Sequence, residues 1–353
     1  MNKYAVLYSE KIKEYELGHV LTMERYQNFI DLYQEKLGSR KDFEIIVPDS
    51  ATNDDLELIH TTEYIQRIEQ LRGLDPFDTP LSNGLVRAAR LLAGAGKLAG
   101  ELVYSEQYRK AFVVGGGVQH ANRTREKGFG VFSDIGICAE NLKIKFGVNK
   151  ILIIDTDAHA GDGLYEIFAG DPQVLFISLH QDPRTLYPGK GFIHEIGNNE
   201  GRAYSVNIPL PPKSGDRVYE MVLEKIFVPL AEEFHPEIIL MVDGTDPHYT
   251  DRLTSMGLTL HGIKKVGQII SAQAEKLCDG KLVDFIGSGY SSDSRIISLG
   301  WLASMVGVTG VDLTVSEPQE IPTEFKSDHG MDKAQKIVEL ISKQLSSYWK
   351  CFF

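Results

Sequence analysis

The chain has 353 residues, 42% hydrophobic and 24% charged, with 33 Gly and 14 Pro, enough for a globular protein to bury a substantial core. A formal net charge of -12 argues against a general nucleic-acid binder, which needs a basic face to displace counterions, and fits a cationic substrate such as a lysine side chain or a polyamine. No apolar run has membrane-spanning length. Cys138, Cys278 and Cys351 form neither a C-x-x-C pair nor a disulfide framework, so a cytoplasmic location is expected.

In chain order, short β-branched runs alternate with longer amphipathic stretches. Strands are expected at residues 5–8, 111–114, 151–155, 174–178, 205–208, 238–242 and 282–286. Helices are expected at 22–37, 53–59, 62–71, 84–105, 161–168, 216–234, 259–278 and 331–344. Residues 85–102 are rich in Ala and Leu and apolar on several faces, the pattern of a buried helix. The polar, Pro-containing stretch 318–330 reads as a loop before a terminal helix. The expected fold is α/β: one domain over residues 1–353, with a mostly parallel sheet of about eight strands and helices on both faces.

The residues that carry chemistry collect where the strands end, at 115–120, 155–162, 180–191, 243–251 and 287–290. Asp155-Thr156-Asp157-Ala158-His159 follows the apolar run 150–154. The carboxyl ends of such strands are where open α/β sheets hold ligands. In an extended segment residues two apart point the same way, so Asp157 and His159 can share a divalent ion, with Asp155 close behind. A single Asp there would read as a solvated loop acid. The D-x-D-x-H pattern followed by Gly161-Asp162-Gly163 points to a metal site.

The third ligand is sought at Asp243 or Asp246, again directly after an apolar run. Three protein ligands leave open positions for water and substrate, and an N/O donor set suits Zn(II), Fe(II) or Mn(II). His120 follows the glycine-rich exit Gly115-Gly116-Gly117, and Asp162 is available to orient its imidazole as a general base. Gly287-Ser288-Gly289 permits a sharp turn that aims Tyr290 inward, where a phenol can donate to a carbonyl oxygen. Aromatic residues beside glycines, Phe129 after Gly128 and Tyr187 before Pro188-Gly189, suit the walls of a narrow channel.

Taken in order, these segments resemble the histone deacetylase superfamily, which includes acetylpolyamine amidohydrolases and acetoin-utilisation-type proteins; a microbial member is the expectation. The likeness runs from about Tyr8 to Trp301. It rests on Gly18-His19 with Arg25, His60-Thr61-Thr62-Glu63-Tyr64, Asp78-Thr79-Pro80 with Gly84, G-G-V-Q-H-A from Gly116, and G-F-G from Gly128. It continues through D-T-D-A-H-A-G-D-G from Asp155, S-L-H from Ser178, Y-P-G-K-G from Tyr187, N-I-P-L from Asn207, D-G-T-D from Asp243 and G-S-G-Y from Gly287.

The resemblance implies a deacetylase that removes an acyl group, acetyl above all, from a lysine or polyamine amine by attack of a metal-bound water. Asp157, His159 and Asp246 become the ligands of Zn(II), with Fe(II) as the alternative. His120 becomes general base and acid, oriented by Asp162, and Tyr290 polarises the carbonyl. Asp155, with backbone groups of Asp157, His159, Ser178 and Leu179, becomes a buried K+ site. Phe129, Gly128 and Tyr187 line the acyl-lysine channel and Asp78 holds the substrate backbone at its rim. The implied partner is a peptide or small acyl-amine, not a nucleic acid or a membrane; oligomeric state is not readable.

Three positions depart from the family pattern. Gln119 stands where the first of two adjacent histidines is usual, the one held by the acid matched here by Asp155. An amide there can still position water but cannot carry a positive charge. Ala160 replaces a frequent His that is not a ligand, and Gly287-Ser288-Gly289 varies the usual Gly-rich run while keeping the tyrosine. Gln119 supports a second reading, a catalytically weakened relative that binds acyl ligands or a protein partner. A third, an arginase-like ureohydrolase, echoes Asp157-Ala158-His159 but lacks the acid two residues after the His, where Gly161 stands.

Overall fold

The structure is a computed structural model that describes residues 3–18, 20–326 and 330–353. His19, part of one family motif, lies outside the described residues. The fold is α/β with a parallel sheet of eight strands, as expected. The strands are β1 (Tyr4–Leu7), β2 (Phe43–Ile46), β3 (Lys110–Val114), β4 (Ile151–Asp155), β5 (Val174–Gln181), β6 (Ser205–Leu210), β7 (Ile238–Gly244) and β8 (Leu282–Ser288).

The chain forms two compact units. The first takes in most of the chain up to Asn149, with Gly161–Ile167 and Leu282–Gly287, and carries the strand order β2-β1-β3-β8. β1 pairs with β2 and β3, and β3 with β8, in register Val114 to Ile286. The helix Asn83–Tyr104 buries Leu85, Leu92, Ala99 and Val103 here, and the Ser82 hydroxyl accepts the Leu85 N–H at its start.

The second unit carries the order β7-β4-β5-β6. β4 pairs with β7, Asp155 opposite Val242, and with β5, Asp155 opposite Ser178. Every residue of β4 is buried, which accounts for its unbroken apolar run.

Four stretches differ from the sequence expectation. β2 is a short strand with an exposed Glu44 in its burial pattern, too brief to show an alternation. The helices Asp134–Phe146 and Ser294–Thr309 were not expected; the latter is buried on nearly all sides, so it lacks a polar face to mark the helical period. The stretch expected as one helix over 216–234 is instead Asp216–Val222, a π-helical turn Leu223–Phe227 and Val228–Phe234. Pro229 opens the last piece; a proline inside a helix has no N–H for the residue four before it, and a wider turn absorbs that loss.

Candidate metal centre

In the second unit β4 and β7 are parallel neighbours, so the segments that follow them leave the same edge. Asp157 and His159 come from the first of these segments and Asp246 from the second. Their ligand atoms all lie within 4.8 Å of one another, and all three residues are buried. His159 Nδ1 lies 2.8 Å from Asp246 Oδ2 and 3.1 Å from Asp157 Oδ1.

The carboxylates are held from behind. Asp246 Oδ1 accepts the Ala158 N–H at 3.1 Å and the Ser288 hydroxyl at 2.9 Å, which leaves Oδ2 facing the imidazole. Asp157 Oδ1 accepts the His159 N–H at 2.7 Å. Asp243, the other acid weighed as third ligand, turns elsewhere: its Oδ1 accepts the Gly244 N–H at 2.7 Å and lies 3.4 Å from the Thr156 hydroxyl.

Crowding three ionisable groups out of water perturbs all of them. Burial and the neighbouring Asp157 charge push the Asp246 carboxyl up to about 8. Burial opposes protonation of His159, but its contacts with Asp157 and Asp246 outweigh that and raise it to about 10. Burial alone would raise Asp157, yet the His159 contact holds it below the usual carboxylate range. Two acids competing for one imidazole are an environment that favours extra positive charge. With one nitrogen and carboxylate oxygens as donors, the set fits a divalent ion.

Around this cluster the second unit places both expected tyrosines. The rings of Tyr290 and Tyr187 meet the His159 imidazole edge-on, with centroids 6.3 Å and 6.4 Å away. Tyr187 is 43% exposed, as a wall at an opening would be. Asp155 lies deeper: its oxygens accept the Asp157 N–H at 3.1 Å and the Ser178 hydroxyl at 3.3 Å. Burial, then the charge of Asp157, raises its carboxyl well above the ordinary range. Leu179 is fully buried beside Ser178. Ser178 also lies 2.9 Å from His180 Nδ1, whose Nε2–H donates to the Gly191 carbonyl at 2.8 Å.

The first unit brings together the remaining candidates. His120 Nδ1 lies 2.8 Å from Asp162 Oδ1, so Nε2 is the basic nitrogen of the neutral ring. Both side chains are almost fully buried. The loop of Gln119 and His120 is tied to the helix Asp162–Phe168 because the Gln119 carbonyl accepts the Leu164 N–H at 3.1 Å. Gly163 permits that approach, since a Cβ there would lie 2.5 Å from the His120 carbonyl carbon. Gln119 itself is buried. Asp78 Oδ2 lies 3.5 Å from the Phe129 N–H, at the limit of a hydrogen bond.

Several supporting residues were not anticipated. Asp134 accepts the Gly117 N–H at 2.8 Å and the Val118 N–H at 3.2 Å, shaping the approach to Gln119-His120. The sequence carries no signal for it, since it opens the helix Asp134–Phe146 that was not expected. Asp251 accepts the Tyr290 N–H at 2.7 Å, and Ser288 bonds Asp246. Ser288 stood inside a noted motif; Asp251 gave no signal beyond its place at the end of a noted loop.

The fold and this cluster define an α/β protein with a buried carboxylate–imidazole group at strand ends that could hold a metal ion. The histone deacetylase domain matches residues 19–305, and the chain belongs to that family. It is 36% identical to a probable deacetylase of Archaeoglobus fulgidus, over 98% of each chain. It is 32% identical to the acetoin utilization protein AcuC of Bacillus subtilis, over 80% of this chain and 75% of that one, and 34% identical to AcuC of Staphylococcus xylosus, over 86% and 82%. The solved HDA15 HD domain shares the fold, with a TM-score of 0.85 at 23% identity over 99% of this chain and 98% of that one. Membership supports hydrolytic removal of acyl groups. Among the described residues no helix is long and apolar enough to cross a membrane.

Proposed function

We propose that this protein is a zinc-dependent deacetylase that hydrolyses the amide of an acetylated lysine or polyamine, with Fe(II) as the alternative metal. The observation that carries the reading is the His159 imidazole set between Asp157 and Asp246, in a chain of the histone deacetylase family. Asp157, His159 and Asp246 would hold the divalent ion, which when bound would supply Lewis-acid polarisation of the amide carbonyl and a lowered pKa of water.

The remaining roles follow the family pattern residue by residue. His120, with Nδ1 held by Asp162, takes a proton from the attacking water at Nε2 and later delivers it to the leaving amine. Tyr290 donates its phenol hydrogen to the carbonyl oxygen as negative charge develops there. Gln119 orients water through its amide. Gly128, Phe129 and Tyr187 wall the acyl channel, and Asp78 takes the substrate backbone at the rim. Asp155, with backbone groups of Asp157, His159, Ser178 and Leu179, would hold a K+ ion; the hydrogen bond between Ser178 and the Asp155 carboxylate supports that assignment. Three free cysteines support a reducing, cytoplasmic site of action.

The test is a panel of acetyl-lysine peptides, longer acyl-lysines and acetylpolyamines, assayed after chelation and after return of Zn(II) or Fe(II) separately. Loss on chelation and recovery with one metal is expected. Unchanged hydrolysis of acetyl-lysine peptide and acetylpolyamine after complete metal removal would overturn the reading.

A further inference from the structure

One charged group at the His120–Asp162 pair has been given no role: Lys127, the residue before Gly128-Phe129-Gly130. Its N–H donates to the Gly130 carbonyl and its own carbonyl accepts the Gly130 N–H, both at 2.9 Å, so residues 127–130 close into a tight turn. Gly128 and Phe129 both sit at positive φ, +54° and +68°. A Cβ on Gly128 would fall 2.3 Å from His120 Cδ2, so the turn lies directly against the imidazole.

From that turn the Lys127 ammonium reaches Asp162 Oδ2 as an ion pair, while Asp162 Oδ1 holds His120 Nδ1. The Asp162 side chain is 2% exposed and that of Lys127 20%, so the pair is largely withdrawn from water. A buried carboxylate with one neutral partner is costly and free to swing about its terminal torsion. Charge-assisted contacts on both oxygens remove both problems. The turn therefore does two things at once: its backbone bounds the imidazole, and its side chain anchors the carboxylate that orients it.

We propose that Lys127 is a positioning residue for the general base, holding the second oxygen of Asp162 so that the first stays aimed at His120 Nδ1. This rests on the reading of His120 as base. The side chain touches no reacting atom in this role. Outer contacts of this kind are commonly worth about 10–100-fold in activity. Because Phe129 belongs to the same turn, a change in turn geometry would alter substrate affinity, whereas loss of the ammonium alone would alter turnover.

The experiment compares Lys127→Met, Lys127→Gln and Lys127→Arg in the full-length metal-loaded protein. Two readouts are kept apart: kcat and KM on an acetyl-lysine peptide, and the downfield 1H resonance of the His120 Nδ1–H, assigned by its change in Asp162→Asn. Met and Gln are expected to lower kcat at least about tenfold with KM within about twofold, and to broaden or shift the resonance. Arg is expected to restore both. Retention of kcat and of the resonance in either neutral variant would overturn the proposal, as would failure of Arg to rescue a folded protein. Should the native protein hydrolyse no acyl-amine, the reading of function fails, and the resonance still decides whether Lys127 holds the pair.

Discussion

His159 Nδ1 lies 2.8 Å from an oxygen of Asp246, a residue 87 positions further along the chain. The other oxygen of Asp246 is occupied by Ser288 and the Ala158 N–H, so the carboxylate has one free face. Asp246→Asn should abolish stoichiometric metal binding and activity, while Ser288→Ala should keep the ligand set and weaken metal affinity by about 10–100-fold. Metal content after dialysis, titrated against a competing chelator, separates the two. Equal affinity in Ser288→Ala would show that Ser288 does not hold the ligand.

Tyr290 stands edge-on to the His159 ring, and its N–H is fixed by Asp251. Removing only the phenol oxygen should remove the donor to the developing oxyanion. Tyr290→Phe is expected to lower kcat by about 10²–10³-fold with little change in KM, the usual cost of one such donor. Steady-state kinetics on the best substrate of the panel checks it; a change confined to KM would assign the ring to substrate contact instead.

Gln119 is buried and lies next to His120, the proposed base, in sequence. If the native site is competent, Gln119→His should change kcat/KM by less than about tenfold, or 1.4 kcal/mol of barrier. A gain of several orders of magnitude would favour the weakened relative over the enzyme proposed here.

His60 is buried, and its Nε2 accepts the Ser133 N–H at 3.0 Å. Burial pulls its pKa down to about 4. The unfolded chain holds a proton there below about 6.5, so between these values the unfolded state binds more protons. The stabilisation is therefore complete above about pH 6.5 and is lost as pH falls towards 4, on the order of 3 kcal/mol in all. Urea unfolding at pH 7.5, 6, 5 and 4.5 should show this decline, and His60→Gln should flatten part of it. An unchanged slope would remove His60 from the account.

Seven of the eight strands were legible because a strand buried on both faces writes itself as a continuous β-branched run, as in Ile151–Asp155. Their ends shifted by up to three residues, since β5 continues through polar His180 and Gln181 that pair with Pro209 and Leu210 of β6. Register of that kind depends on the neighbour. The helix Ser294–Thr309 escaped notice because burial on all sides erases amphipathic contrast.

The order of short motifs along the chain, by itself, determined the family, the fold class and the residue types at each strand end, because these are local properties of spacing and chemistry. It left Asp243 and Asp246 open on residue grounds and gave Lys127, Asp134 and Asp251 no role. In the tertiary structure β4 and β7 pair in parallel and set Asp246, not Asp243, beside Asp157 and His159, and the 127–130 turn closes against His120. Which oxygen faces which nitrogen depends on contacts between residues tens of positions apart, and no local pattern encodes them.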